Sequence, residues 1–127
     1  MPGSDALRSD PVYRLKAEMF RVLGHPVRVR MLELLRPGEL PVRELQRLLD
    51  LDSSGASQHL GALRKLGLLE SRREGTSVYY RIKDERTNEL LDVARHILTS
   101  NLEQSRELLG ELAATAPSPA PKDQPRT

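Results

Sequence analysis

The 127-residue chain has no cysteine and no tryptophan, and aromatic residues make up 3% of it. Without Cys there can be no disulfide, no thiolate metal site and no cysteine nucleophile. With so few large rings, a core must be built mostly from Leu, Val and Ala. In one small chain that composition suggests helices, with stability completed by a partner subunit. No apolar run approaches the roughly 18 residues of a membrane span. The N-terminus lacks a basic region followed by an apolar stretch, so no secretory signal is expected and the expected location is the cytoplasm. Also missing are a Gly-rich phosphate loop, a paired-carboxylate site and an HExxH motif. Ser57 and His59 lie two apart on an expected helix and cannot face each other. An enzyme is therefore not expected.

An excess of one charge is missing too: the net charge is +2. Its distribution is more informative. Residues 11–36 hold six basic and two acidic side chains, and 41–83 hold eight and five, but 84–112 hold three and seven. The asymmetry suggests a part that meets a polyanion and a part kept away from it.

What the chain does have is helical spacing. Leu15, Met19, Val22 and Leu23 mark a first helix, ended by Gly24. His25 is the expected N-cap of a second helix, with Pro26 at its first position. That helix runs through Met31, Leu32 and Leu35 to a stop at "RPG". A third, short helix starts near Pro41, carries Val42, Leu45, Leu48 and Leu49, and ends near Asp50. A fourth follows, with Asp52 as N-cap and Gly67 as left-handed stop. Val78, Tyr80 and Ile82 then alternate with polar neighbours in a strand, and "EGTS" makes a hairpin turn centred on Gly75. A last helix spans about Glu85 to Leu112. The expected fold is mainly α with a small β-hairpin, in the order α-α-α-α-β-β-α. Residues 1–10 are expected to form a flexible arm, 11–112 one domain, and 113–127 a disordered Pro/Ala-rich tail.

The fourth helix, "SGASQHLGALRKLG", accepts two glycines inside it, each costing about 1 kcal/mol relative to Ala. Ala56, Leu60 and Leu63 form its apolar stripe. The opposite pole holds Ser54, Gln58, Gly61 and Lys65, with Ser57 and Arg64 to one side. Small residues allow close approach to a partner, amide and hydroxyl groups read hydrogen-bonding edges, and the cations suit phosphates. These are the needs of a helix in the DNA major groove, where Gln can pair with adenine. The third and fourth helices make a helix–turn–helix. The hairpin then places Arg72 and Arg73 before its turn and Thr76, Ser77 and Arg81 after it, as suits a wing along the sugar–phosphate backbone or in the minor groove.

"FRVLGHPVRVRMLELL", "SGASQHLGALRKLGLLESRREGTSVYYRI" and the long helix after them resemble the ArsR/SmtB family of winged helix–turn–helix regulators, over about residues 12–112. The resemblance implies a homodimer on double-stranded operator DNA, usually a repressor released by an inducer. It implies DNA contacts at Ser53, Ser54, Ser57, Gln58 and His59, and at Arg72, Arg73 and Gly75. It implies a dimer interface on the first and last helices, here Leu15, Met19, Leu90, Ala94, Ile97 and Leu98. The family's cysteine metal motif has no counterpart in "VRELQRLLD". On the last helix, Asp92 and His96 share a face at i, i+4 and Glu103 follows. Paired across a two-fold, they offer imidazole and carboxylate to Ni²⁺ or Zn²⁺. The alternatives at this point are a metal-responsive regulator, an activator, one released by a small molecule, or a winged-helix module whose main partner is another protein.

Overall fold

The computed structural model describes residues 10–115. The expected arm over 1–10 and tail over 113–127 lie outside this range, except at their inner edges. Asp10 caps the first helix, its Oδ1 accepting from the Val12 N–H at 2.8 Å. Residues 113–115 continue the last helix.

The order is α1 (Pro11–Leu23), α2 (Pro26–Leu35), β1 (Leu40–Pro41), α3 (Val42–Leu49), α4 (Ser53–Lys65), β2 (Leu69–Glu74), β3 (Ser77–Ile82) and α5 (Arg86–Thr115). The strand β1 is an addition to the expected order. Two residues, one of them proline, give no alternation to read. They become a strand because β3 offers a free edge, pairing Leu40 with Tyr80 and Pro41 with Tyr79. The antiparallel sheet has the order β1-β3-β2.

The chain divides between Glu89 and Leu90, inside α5. In the first unit, Met31, Leu32 and Leu35 of α2, Leu45 of α3 and Ala56, Leu60 and Leu63 of α4 form the core, closed by Leu68, just before β2, and by Leu69 of β2. These are the positions that helical spacing selects, because one face of each helix must leave water. The second unit continues α5, whose Ile97, Leu98 and Leu102 are exposed.

Local chemistry fixes the ends of the elements. His25 caps α2 as expected, its Nδ1 accepting from the Val27 N–H at 3.2 Å, with Pro26 at the first position. Two helices end in paired 6→1 and 5→2 hydrogen bonds, which satisfy carbonyls that the helix leaves open. In α4 these run from Leu68 N–H to the Leu63 carbonyl and from Gly67 N–H to Arg64. In α3 they run from Leu51 to Gln46 and from Asp50 to Arg47, with Asp50 in the left-handed region at φ 53°. Asp tolerates that conformation better than most residues with a side chain.

Candidate nucleic-acid interface

Helix α4 is held at both ends. At its start the Asp52 carboxylate accepts from the Gly55 N–H at 2.6 Å. A Cβ on Gly55 would stand 3.0 Å from that same carboxylate oxygen, so the cap and the glycine belong together. At its end stands the Gly67 motif. Between them, Ala56, Leu60 and Leu63 are fully buried, while Ser53, Ser54, Ser57, Gln58, Gly61, Arg64 and Lys65 are exposed. A Cβ on Gly61 would meet nothing within 4 Å, so the chain's own packing does not require glycine there.

His59 is placed differently from its polar neighbours. It is half-buried, its ring 4.4 Å from that of His25, and its Nδ1 accepts from Arg28 Nε at 3.1 Å. Burial, then the neighbouring His25 and Arg28, hold its pKa below the ordinary histidine value. The helix thus turns His59 toward α2, while Ser57 and Gln58 stay on its exposed side. Ser57 and His59 do not come together as a nucleophile and base.

The hairpin closes through a two-residue turn, Gly75–Thr76, between the paired residues Glu74 and Ser77. Gly75 has φ 62°, the left-handed conformation that a two-residue hairpin demands at its first turn position. Ser77 accepts a hydrogen bond from Arg43 of α3 at 3.0 Å, which joins the wing tip to the helix–turn–helix. A groove between these parts is lined by Arg43 and Gln46 of α3, Ser53 and Ser57 of α4, and Ser77 and Val78 of the wing. Ser71 accepts from Arg64 at 3.2 Å, so one cation of α4 leans on the sheet.

The two wing arginines part company. Arg72 is engaged on every side of its guanidinium. Nε and Nη2 meet both oxygens of Glu39, the shortest contact being 2.5 Å, and Nη1 meets Glu74 at 2.7 Å. The same group lies 4.5 Å above the ring of Tyr79. The hydrogen bonds it donates to Glu39, and then to Glu74, stabilise its charged form. Arg73 is exposed and, among the described residues, has no such partner. Glu39 and Arg43 are site residues that motif reading passed over. Arg43 stands in the first turn of α3 off its apolar face, and that was a legible signal. Glu39 pairs with a residue 33 positions later, which no local pattern reveals.

On α5, Asp92 and His96 share a helix face and Glu103 lies about two turns beyond His96. Among the described residues, no group of three or more His, Asp or Glu side chains gathers where a metal could be held. Among the same residues, no helix is long and apolar enough to cross a membrane.

A family model described as a helix–turn–helix domain matches residues 23–72. The chain is 42% identical over 109 residues to the HTH-type transcriptional regulator Rv0081 of Mycobacterium tuberculosis strain H37Rv, covering 85% of this chain and 96% of the relative. The crystal structure of Rv0081 matches with a TM-score of 0.72 at 44% identity, over 76% of this chain and 98% of that one. The solution structure of a homodimeric winged helix–turn–helix DNA-binding domain, Mb0332 of Mycobacterium bovis, described as a possible ArsR-family transcriptional regulator, has a TM-score of 0.66 at 32% identity, over 73% and 86%. The transcriptional repressor BigR of Xylella fastidiosa has a TM-score of 0.59 at 32% identity, over 64% and 83%.

Proposed function

Because the chain belongs to the ArsR family of winged helix–turn–helix transcriptional regulators, we propose that it is a repressor that binds operator DNA as a homodimer. The observation that carries this reading is the exposed side of α4. Ser53, Ser54, Ser57 and Gln58 offer hydroxyl and amide groups, and Lys65 adds charge at the far end. Such a surface suits base edges in the major groove flanked by phosphates. The N-terminus of α4, beside the groove to the wing, is also favourable for phosphate. Gly75, Thr76 and Ser77 bring backbone and hydroxyl groups to the wing tip.

Exposed apolar side chains support the dimer. On α1, Leu15 is 71% exposed and Phe20, the chain's single Phe, is 66% exposed. On α5, Ile97 and Leu98 are exposed as well. Such positions on helices are covered most readily by a second copy of the chain. Half-sites would then lie about one helical turn apart, centre to centre. Selection of bound sequences from random duplex DNA tests the reading. Gln58→Ala should relax preference at one position per half-site, by about 1–3 kcal/mol. If the protein shows no salt-dependent association with any duplex, the repressor reading fails and the protein-interaction module takes its place.

A further inference from the structure

The sheet is held together unevenly. β2 and β3 pair along six residues, from Leu69–Ile82 to Glu74–Ser77, whereas β1 contributes two residues, one of which, Pro41, has no N–H to donate. Arg72 stands on β2, opposite Tyr79 of β3. Its guanidinium lies over the Tyr79 ring and continues to Glu39, the residue before β1. It therefore crosses the full width of the sheet, β2 over β3 to the β1 side. Side chains alternate along a strand. Arg73, paired with Val78, is therefore on the other face, the one where Val78 and Tyr80 line the groove to Ser57 and Leu60 of α4. The outer face carries a second cross-strand ion pair, Arg81 with Glu70. Two arginines there are opposed by three carboxylates, Glu39, Glu70 and Glu74, so this face has little to attract a phosphate.

We infer that Arg72 is a positioning residue that straps the wing to the lead-in of α3 through Glu39, and that Arg73 is the wing's phosphate contact. This rests on the DNA-binding reading and refines it: two adjacent arginines that look equivalent have separate tasks. The strap sets the wing angle because β1 leads directly into α3, the first helix of the helix–turn–helix. One isolated exposed ion pair would do little. Here a two-pronged carboxylate contact, a second carboxylate and an aromatic face act on the same planar group, a combination that Lys cannot reproduce.

That difference supplies the test. A phosphate contact needs a cation, and Lys serves as one; a strap needs the guanidinium fork. DNA affinity is measured against salt for the full chain and for Arg72→Lys, Arg72→Ala, Arg73→Lys, Arg73→Ala and Glu39→Gln. The expected result is that Arg73→Ala lowers the slope of log K against log salt by about 0.9, and that Arg73→Lys keeps it. Both Arg72 variants should weaken all sequences alike at an unchanged slope. Glu39→Gln should weaken binding similarly, and adding Arg72→Ala to it should cost nothing further. A slope lowered by Arg72→Ala and restored by Arg72→Lys, or tighter binding by Glu39→Gln, overturns the inference. Amide hydrogen exchange of β2 and β3 decides the strap without DNA. Exchange should quicken in Arg72→Lys and Glu39→Gln, and unchanged protection in both would overturn it. Absence of DNA binding in the unmutated protein would instead remove the repressor reading and, with it, the role of Arg73, leaving the exchange result to judge the strap.

Discussion

At Gly61 the chain keeps the poorest non-proline helix former with open space around the position where a Cβ would go. Gly61→Ala should therefore stabilise the protein by up to about 1 kcal/mol, read by denaturant unfolding. If α4 enters the major groove at this point, the same substitution should weaken DNA binding. A variant that gains stability and binds DNA as before would take Gly61 out of the contact surface. Asp52 has the opposite character: Asp52→Ala removes the cap from the Gly55 N–H and should cost about 1 kcal/mol. His59 carries a pH dependence. Its Nδ1 accepts from Arg28, so a proton on that nitrogen would oppose the Arg28 donor. With its folded pKa depressed, chiefly by burial, the unfolded chain binds more protons in the interval below the ordinary value of about 6.5. The contribution of His59 to stability is thus fully present above about pH 6.5 and is lost as pH falls through the lower, folded value. Thermal unfolding followed from pH 8 to pH 5 should show this loss, and His59→Gln should flatten it. An equal slope in both proteins would remove His59 as its source.

The elements differ in how far they hold themselves. Helix α4 is capped at both ends and buries three side chains fully, so it can present its exposed side in a fixed orientation. Strand β1 exists only because β3 provides an edge, and the wing's attachment there depends on long-range side-chain contacts. Helix α5 raises the metal question in its simplest form. Asp92 and His96 share a face, yet two ligands do not complete a tetrahedral or octahedral sphere, so an ion would need further ligands, from a second chain or from water. Calorimetric titration with Ni²⁺ or Zn²⁺, on the unmutated protein and on His96→Ala, tests the pair. Binding that disappears with His96 would support a shared site on α5. Identical isotherms would exclude His96 as a ligand. A metal that weakens DNA binding must also bind the DNA complex more weakly, by the same factor.

For the molecule as a whole, assembly is the next quantity to measure. A chain with one Phe that leaves it 66% exposed on α1, and that exposes Ile97, Leu98 and Leu102 on α5, has apolar surface that a monomer would leave in water. Sedimentation at micromolar concentration should find a dimer. Phe20→Asp and Ile97→Asp should each shift it toward monomer and make its melting temperature lower and more concentration-dependent. A stable monomer for the unmutated chain would contradict the homodimer, and with it the paired half-sites expected in the selected DNA.

The helices and the hairpin were legible in the sequence because their causes are local. Apolar residues at helical spacing select the buried faces, Asp52 and His25 supply caps within three residues, and Gly75 permits the tight turn. The polar side of α4 could be read in the same way, from its apolar stripe. Other features had no local cause. β1 needed an edge offered some 40 residues later. His59 faces His25 and Arg28 because α2 packs beside α4. Arg72 and Arg73 are neighbours in sequence, yet strand alternation sends them to opposite faces, and Glu39, 33 residues earlier, holds one of them. Sequence alone determined which faces are apolar and which residue types stand opposite them, since periodicity and capping act within a few residues. The tertiary structure decided which charges are neutralised and which remain available, because pairing depends on distances that the fold sets.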